Sequence, residues 1–143
     1  KKHKQNSNEV MYGKKLEYQK HLDAIKQHSW NLYWVPEEFK TKELCVIAIE
    51  KDGYSLEFVP EELKTKELCE LATKICGLAL KYVPEELRTK EMCKTALDGF
   101  NKNFNEGLLR ILKELIPEKF HEEFAEKYDI GLLNKSEDRV KVL

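Results

Sequence analysis

The chain has 143 residues, 25 Lys and Arg against 26 Asp and Glu, a formal net charge of -1, and 41% hydrophobic residues. That length suits one domain, the apolar share is too high for a disordered chain, and six Gly with four Pro exclude collagen-like and Pro-rich classes. No run approaches the ~20 uncharged apolar residues of a membrane span, no leader resembles a signal peptide, and near neutrality gives no general attraction for nucleic acid or anionic lipid, so a soluble, cytoplasmic chain with no membrane partner is expected.

Residues 1–16 form an N-terminal segment that opens on KKHK. Four basic residues without interleaved aromatics make nucleic-acid binding unlikely, and weak binding through them is kept only as an alternative. The opening residue, Lys1 rather than Met, admits a parent protein longer than this chain.

The main organising feature follows. Val35-Pro36, Val59-Pro60 and Val83-Pro84 stand 24 residues apart, and residues 36–59 and 60–83 are identical at 13 of 24 positions. A third copy runs over 84–97 and then loses the pattern. Stepping back 24 residues from Ala48, Leu56 and Val59 lands on Ala24, Leu32 and Val35, so 17–35 reads as a degenerate half repeat, with His21 at the Cys position and Ser29 at the Gly position. Ile116-Pro117 opens a further degenerate unit after an insertion of nine residues.

Each unit reads as two short helices. Pro with two following Glu is a helix start, because Pro lacks only a donor that would be orphaned there. Thr41, Thr65 and Thr89 are candidate N-caps for the next helix. Leu44, Ile47 and Ala48, then Leu68, Leu71, Ala72 and Ile75, recur at helical spacing. Gly53 and Gly77 sit where a left-handed residue would end the helix. Residues 98–143 are expected to form a capping helical pair, with an apolar stripe through Leu108, Leu112 and Leu115, and an aromatic stripe at Phe120, Phe124 and Tyr128. The fold class is therefore all-α: a short solenoid-like array of helix-turn-helix repeats within a single domain.

The wording VPEELKTKELC, with a following Ala, Gly, Leu and the next Val-Pro, resembles a bacterial and viral repeat family of unknown function over about residues 17–97. The resemblance implies an array and brings no activity, cofactor or catalytic residue with it.

No cofactor, metal or catalytic site emerges from the residues themselves. Cys45, Cys69 and Cys93 share one repeat position, too far apart for disulfides, and read as small buried residues in a reducing compartment. No Cys-x-x-Cys exists, and Asn101, Asn103 and Asn105 imitate a calcium loop without its Gly and Glu. His121, Glu122 and Glu123 lack the second His of a zinc-protease helix, and an enzyme site near them is an alternative only. Three equivalent carboxylate pairs argue against catalysis, which needs one distinctive pair.

An interaction or scaffold module binding a protein partner is the expected function, and two surfaces are candidates. The first is a charged ridge of Glu61, Glu62, Lys64, Lys66, Glu85, Glu86, Arg88 and Lys90, in which Glu62 to Lys66 and Glu86 to Lys90 would pair if one helix ran through the Thr; stacking would make parallel acidic and basic rows, with a solvated face placed ahead of a binding surface. The second is the aromatic cluster Trp30, Tyr33 and Trp34, suited to capping the array's end or to anchoring a partner, with capping placed first.

Overall fold

The computed structural model describes residues 7–100 and 106–128. Six α-helices lie there: α1 (Ser7–Gln27), α2 (Lys42–Lys51), α3 (Lys66–Ile75), α4 (Lys90–Phe100), α5 (Glu106–Leu115) and α6 (His121–Tyr128). All other regular structure among the described residues is 3-10 helix, with no strand. The fold is an all-α repeat array, as the periodicity implies.

One unit shows how the sequence dictates the path. Val35 and Pro36 are extended, and a three-residue 3-10 turn, Glu37–Phe39, closes when Phe39 N–H donates to the Pro36 carbonyl at 2.8 Å. Proline suits this start because its ring fixes φ and the missing donor is not needed. The turn stops at Lys40, whose φ of -75° and ψ of 74° leave helical space. Thr41 is extended, and its hydroxyl accepts from Leu44 N–H at 3.3 Å, capping α2. Thr65 caps α3 at 3.3 Å and Thr89 accepts from Met92 N–H at 3.2 Å. The Thr residues cap a new helix as expected, so the continuous helix that four-residue pairs would require is not formed. In place of four-residue pairs, Lys40 meets Glu37 at 3.3 Å and Lys64 meets Glu61 at 2.8 Å, three residues apart inside the turn.

α1, α2 and α3 each end at an extended residue, His28, Asp52 or Cys76, and a six-residue 3-10 helix follows: Ser29–Trp34, Gly53–Phe58 and Gly77–Tyr82. Asp52 caps its 3-10 helix by accepting from Tyr54 N–H at 3.0 Å. Gly53 does not take the expected left-handed conformation. A Cβ there would stand 2.5 Å from the Ala72 carbonyl oxygen, so its place is fixed by close approach to α3.

The units stack in two layers. The α-helices pack in sequence order, α1 on α2 on α3 on α4, and the 3-10 helices do the same beside them. In the last unit α5 replaces the six-residue 3-10 helix and packs on Gly77–Tyr82 and α4. Between the layers lies one continuous core. Leu44, Cys45, Ala48 and Ile49 of α2 meet Leu32 and Leu56, all fully buried, and α3 and α4 repeat the set. Each such Leu or Ile contributes about 1.5–3 kcal/mol of burial.

Both ends depart from the repeat. Leu44, Leu68 and Met92 are buried, whereas the equivalent position in α1 holds the exposed Lys20, and α1 also leaves Val10, Met11, Tyr12 and Leu16 exposed. At the other end, Pro117 opens a fourth 3-10 turn, Glu118–Phe120, with Phe120 N–H donating to the Pro117 carbonyl at 2.9 Å. α6 then starts at once, without a Thr. Phe124 and Tyr128 are buried on it, and the Tyr128 hydroxyl donates to Asp98 of α4. Asn101, Asn103 and Asn105, the KKHK start and the tail after Tyr128 lie outside the described residues.

Candidate interaction face

The charged ridge is not two parallel solvated rows. Glu61 is 74% exposed, but the Lys64 side chain that pairs with it is only 8% exposed, tucked under the turn, and Lys40 is placed alike. Arg88 donates from Nε to the Val83 carbonyl at 3.0 Å and from Nη1 to the Leu115 carbonyl at 3.0 Å, with Nη2 reaching the Lys81 carbonyl at 3.5 Å. It binds the third unit to the end of α5. Lys90 forms an ion pair with Glu123 of α6, and Lys66 lies 3.8 Å from Glu70 on its own helix. Glu62, Glu85 and Glu86 stay exposed. Lys40, Lys64 and Arg88 thus serve the stack, and the glutamates of the turns face outward together with the exposed Lys66 and Lys90.

His121 occupies the place of Arg88, counted from the prolines Pro117 and Pro84. Its Nε2 lies 2.7 Å from the Ile116 carbonyl, the counterpart of the Val83 carbonyl that Arg88 holds. The ring is engaged by the backbone in a role the repeat defines, while Glu122 and Glu123 are exposed on α6. His21, half-buried at the Cys position of the half repeat, packs its ring 5.4 Å from Phe39.

The cysteine column is present and carries no disulfide. Burial pushes the thiols of Cys45, Cys69 and Cys93 up to about 11 from an ordinary 9.0, and Lys40, Lys64 and Arg88 beside them pull only weakly the other way. A thiol held protonated is a poor nucleophile and a poor metal ligand. Among the described residues, no group of three or more His, Cys, Asp or Glu is placed to hold a metal ion.

The aromatic cluster has a different character. Trp30 is 68% exposed, Tyr33 58% and Trp34 76%. Rings that sealed the array's end would be covered, and these stand out from it. Tyr33 meets Trp34 edge-on at 4.8 Å and Phe58 of the next 3-10 helix at 5.4 Å. Tyr54 reaches Tyr82 of the third at 6.3 Å. Trp30, Tyr54 and Phe58 also line one open depression of about 600 Å3, together with Lys51, Asp52 and Glu57. The aromatic surface thus spans three 3-10 helices. Burial, and then the Cys76 thiol beside it, raise the Tyr54 hydroxyl to about 12, and burial with Glu57 pushes Tyr82 upward too, so both stay protonated.

Sequence reasoning found only the first rung of this surface. Tyr54, Phe58 and Tyr82 were missed as members, although the signal lay in the period: 30 and 54, then 34, 58 and 82, are repeat-equivalent positions holding aromatics.

A family model described as "Domain of unknown function (DUF4116)" matches residues 21–64, which run from α1 through the first two 3-10 rungs to the second turn. The match covers 44 of the 143 residues. No curated protein and no solved structure matches the chain. Among the described residues no helix is long and apolar enough to cross a membrane.

Proposed function

We propose that the chain is a non-enzymatic interaction module whose repeat array serves as a scaffold for the outer aromatic face, and that this face docks a protein partner. The observation that carries the reading is the exposure of Trp30, Tyr33 and Trp34 side by side, at 58–76%. Tryptophan and tyrosine dominate binding hot spots, and clustered exposed apolar surface of this kind marks interaction sites. The exposed glutamates Glu61, Glu62, Glu85 and Glu86 lie along the turns and act as flanking charge. A cytoplasmic setting agrees with four free cysteines, three of them buried thiols.

The test is selection from a random displayed-peptide library on the immobilised chain, with counter-selection on a Trp30→Ala, Trp34→Ala double variant. The expected result is enriched sequences that bind the parent chain and not the variant. Sequences that bind both equally, or that lose binding only with Glu61→Lys and Glu62→Lys, would move the function away from the aromatic face.

A further inference from the structure

The aromatic face restricts the kind of peptide it can hold, and the inference that follows rests on the interaction reading above. A peptide can add a strand to a sheet edge, lay an amphipathic helix into an aliphatic groove, or seat a polyproline II segment on aromatic rings. Among the described residues there is no strand and so no sheet edge. The aliphatic residues Leu32, Leu56 and Leu80 of this layer are fully buried and Leu78 is half-buried, so little aliphatic surface is left for a helix to lie on. What the face exposes is aromatic: the indoles of Trp30 and Trp34 and the phenol of Tyr33, each a flat apolar ring that carries one hydrogen-bond donor, with Tyr54 partly exposed beside them.

That pairing of ring and donor suits polyproline II. Such a segment has no internal hydrogen bonds, so its carbonyls are open to indole N–H and phenol O–H, and it repeats every three residues, roughly 9 Å. Ring contacts step from one rung to the next, Tyr33 to Phe58 at 5.4 Å and Tyr54 to Tyr82 at 6.3 Å, so an extended ligand laid across the rungs meets aromatic surface along its length. The edge-on contacts of Tyr33 with Trp34 and Phe58, at interplanar angles of 85° and 70°, hold these rings against one another at steep angles. Charge adds direction. Asp52 and Glu57 line the depression beside Trp30 against the single ammonium of Lys51. Area decides against a second copy of the chain: three rings of about 150–250 Å2, roughly two-thirds exposed, offer on the order of 400 Å2. A stable interface needs about 800 Å2 from each partner. We infer that the outer 3-10 face binds a short proline-rich segment in the polyproline II conformation, with an arginine beside the prolines seated against Asp52 and Glu57.

Trp30 and Trp34 are the only tryptophans, so intrinsic emission reports on this face directly. The full chain is titrated with three synthetic peptides: one of repeated Pro-x-x-Pro with a terminal arginine, one of the same charge with Gly and Ser in place of Pro, and one amphipathic helical peptide. Saturable change with the proline peptide is expected, at least about tenfold tighter than with the Gly-Ser peptide. Trp34→Ala should weaken binding about tenfold, followed by fluorescence anisotropy of a labelled peptide, with an unchanged circular dichroism spectrum. Glu57→Lys should weaken only the arginine-bearing form, several-fold. Equal response to the Gly-Ser peptide, or none to the proline peptide, overturns the inference. Preference for the helical peptide overturns it as well and leaves the interaction reading standing, while library sequences that ignore the tryptophans remove both.

Discussion

The turn edge and the outer 3-10 face recur with the same 24-residue period and use it in opposite ways. Along the edge the sequence is nearly invariant, Pro-Glu-Glu-x-Lys-Thr-Lys-Glu, and the first basic group of each copy turns inward while the second stays exposed: Lys40 and Lys64 are under 10% exposed, and Arg88 holds carbonyls of two units. On the outer face only the residue class recurs, Trp34, Phe58 and Tyr82 in one column, and the first rung stands in solvent. Of what repeats letter for letter, the Pro turn, the inward basic group and the capping Thr serve the assembly of the stack. What repeats loosely, and stays exposed, is free to serve a partner.

The widest effect is expected at alkaline pH, in the layer behind the edge. Cys45, Cys69 and Cys93 ionise near 9 in the unfolded chain but only at about 11 when folded, so the unfolded state releases protons first. Their contribution is intact below pH 9 and is lost as pH rises toward 11, on the order of 2 kcal/mol per thiol. Chemical denaturation at pH 7, 9 and 10.5 should show that fall, and a Cys69→Ala variant should lose less of its stability over the same interval. A flat profile would mean that the column is open to water.

Next is Gly53, where the outer face meets α3. Gly53→Ala drives a methyl to 2.5 Å from the Ala72 carbonyl oxygen and should cost about 3 kcal/mol. Because the same 3-10 helix carries Tyr54 and Phe58, peptide binding should fall with it. Removing an edge cap is smaller: Thr65→Ala leaves Leu68 N–H without its acceptor and should cost about 1 kcal/mol, read as a shift in the denaturation midpoint. Smallest is Glu62→Lys on the exposed edge, expected within about 0.5 kcal/mol of the parent chain by thermal melting. A larger loss there would restore the charged ridge as a structural feature in its own right.

Much of this was legible in the residues. Thr followed by Lys-Glu-Leu announces an N-cap, and Thr41, Thr65 and Thr89 all perform it. The cysteine column and its lack of disulfides follow from spacing alone. The form of the second helix was also written, in Gly53, Leu56 and Val59, and in Gly77, Leu80 and Val83: a three-residue interval is the 3-10 period, where the reading expected only a short helix. Two things were out of reach. A pattern of Glu and Lys four apart looks the same whether the backbone is continuous or broken at Lys40. The partner of Arg88 is the Leu115 carbonyl, 27 residues away, and no local pattern names a backbone acceptor at that distance. The aromatic face was half found because Trp30, Tyr33 and Trp34 are adjacent in sequence, whereas Tyr54, Phe58 and Tyr82 join them only through stacking.

The division between an edge that serves the stack and a face that serves a partner is tested most directly by comparing two variants in urea denaturation, followed by circular dichroism. Arg88→Ala strips the Val83 and Leu115 carbonyls of their donor and should lose about 2–3 kcal/mol. The Trp30→Ala, Trp34→Ala double variant should stay within about 1 kcal/mol of the parent chain, since both rings are mostly in solvent. If the tryptophan variant instead loses as much as the Arg88 variant, the rings cap the array and the account of a free binding face is wrong.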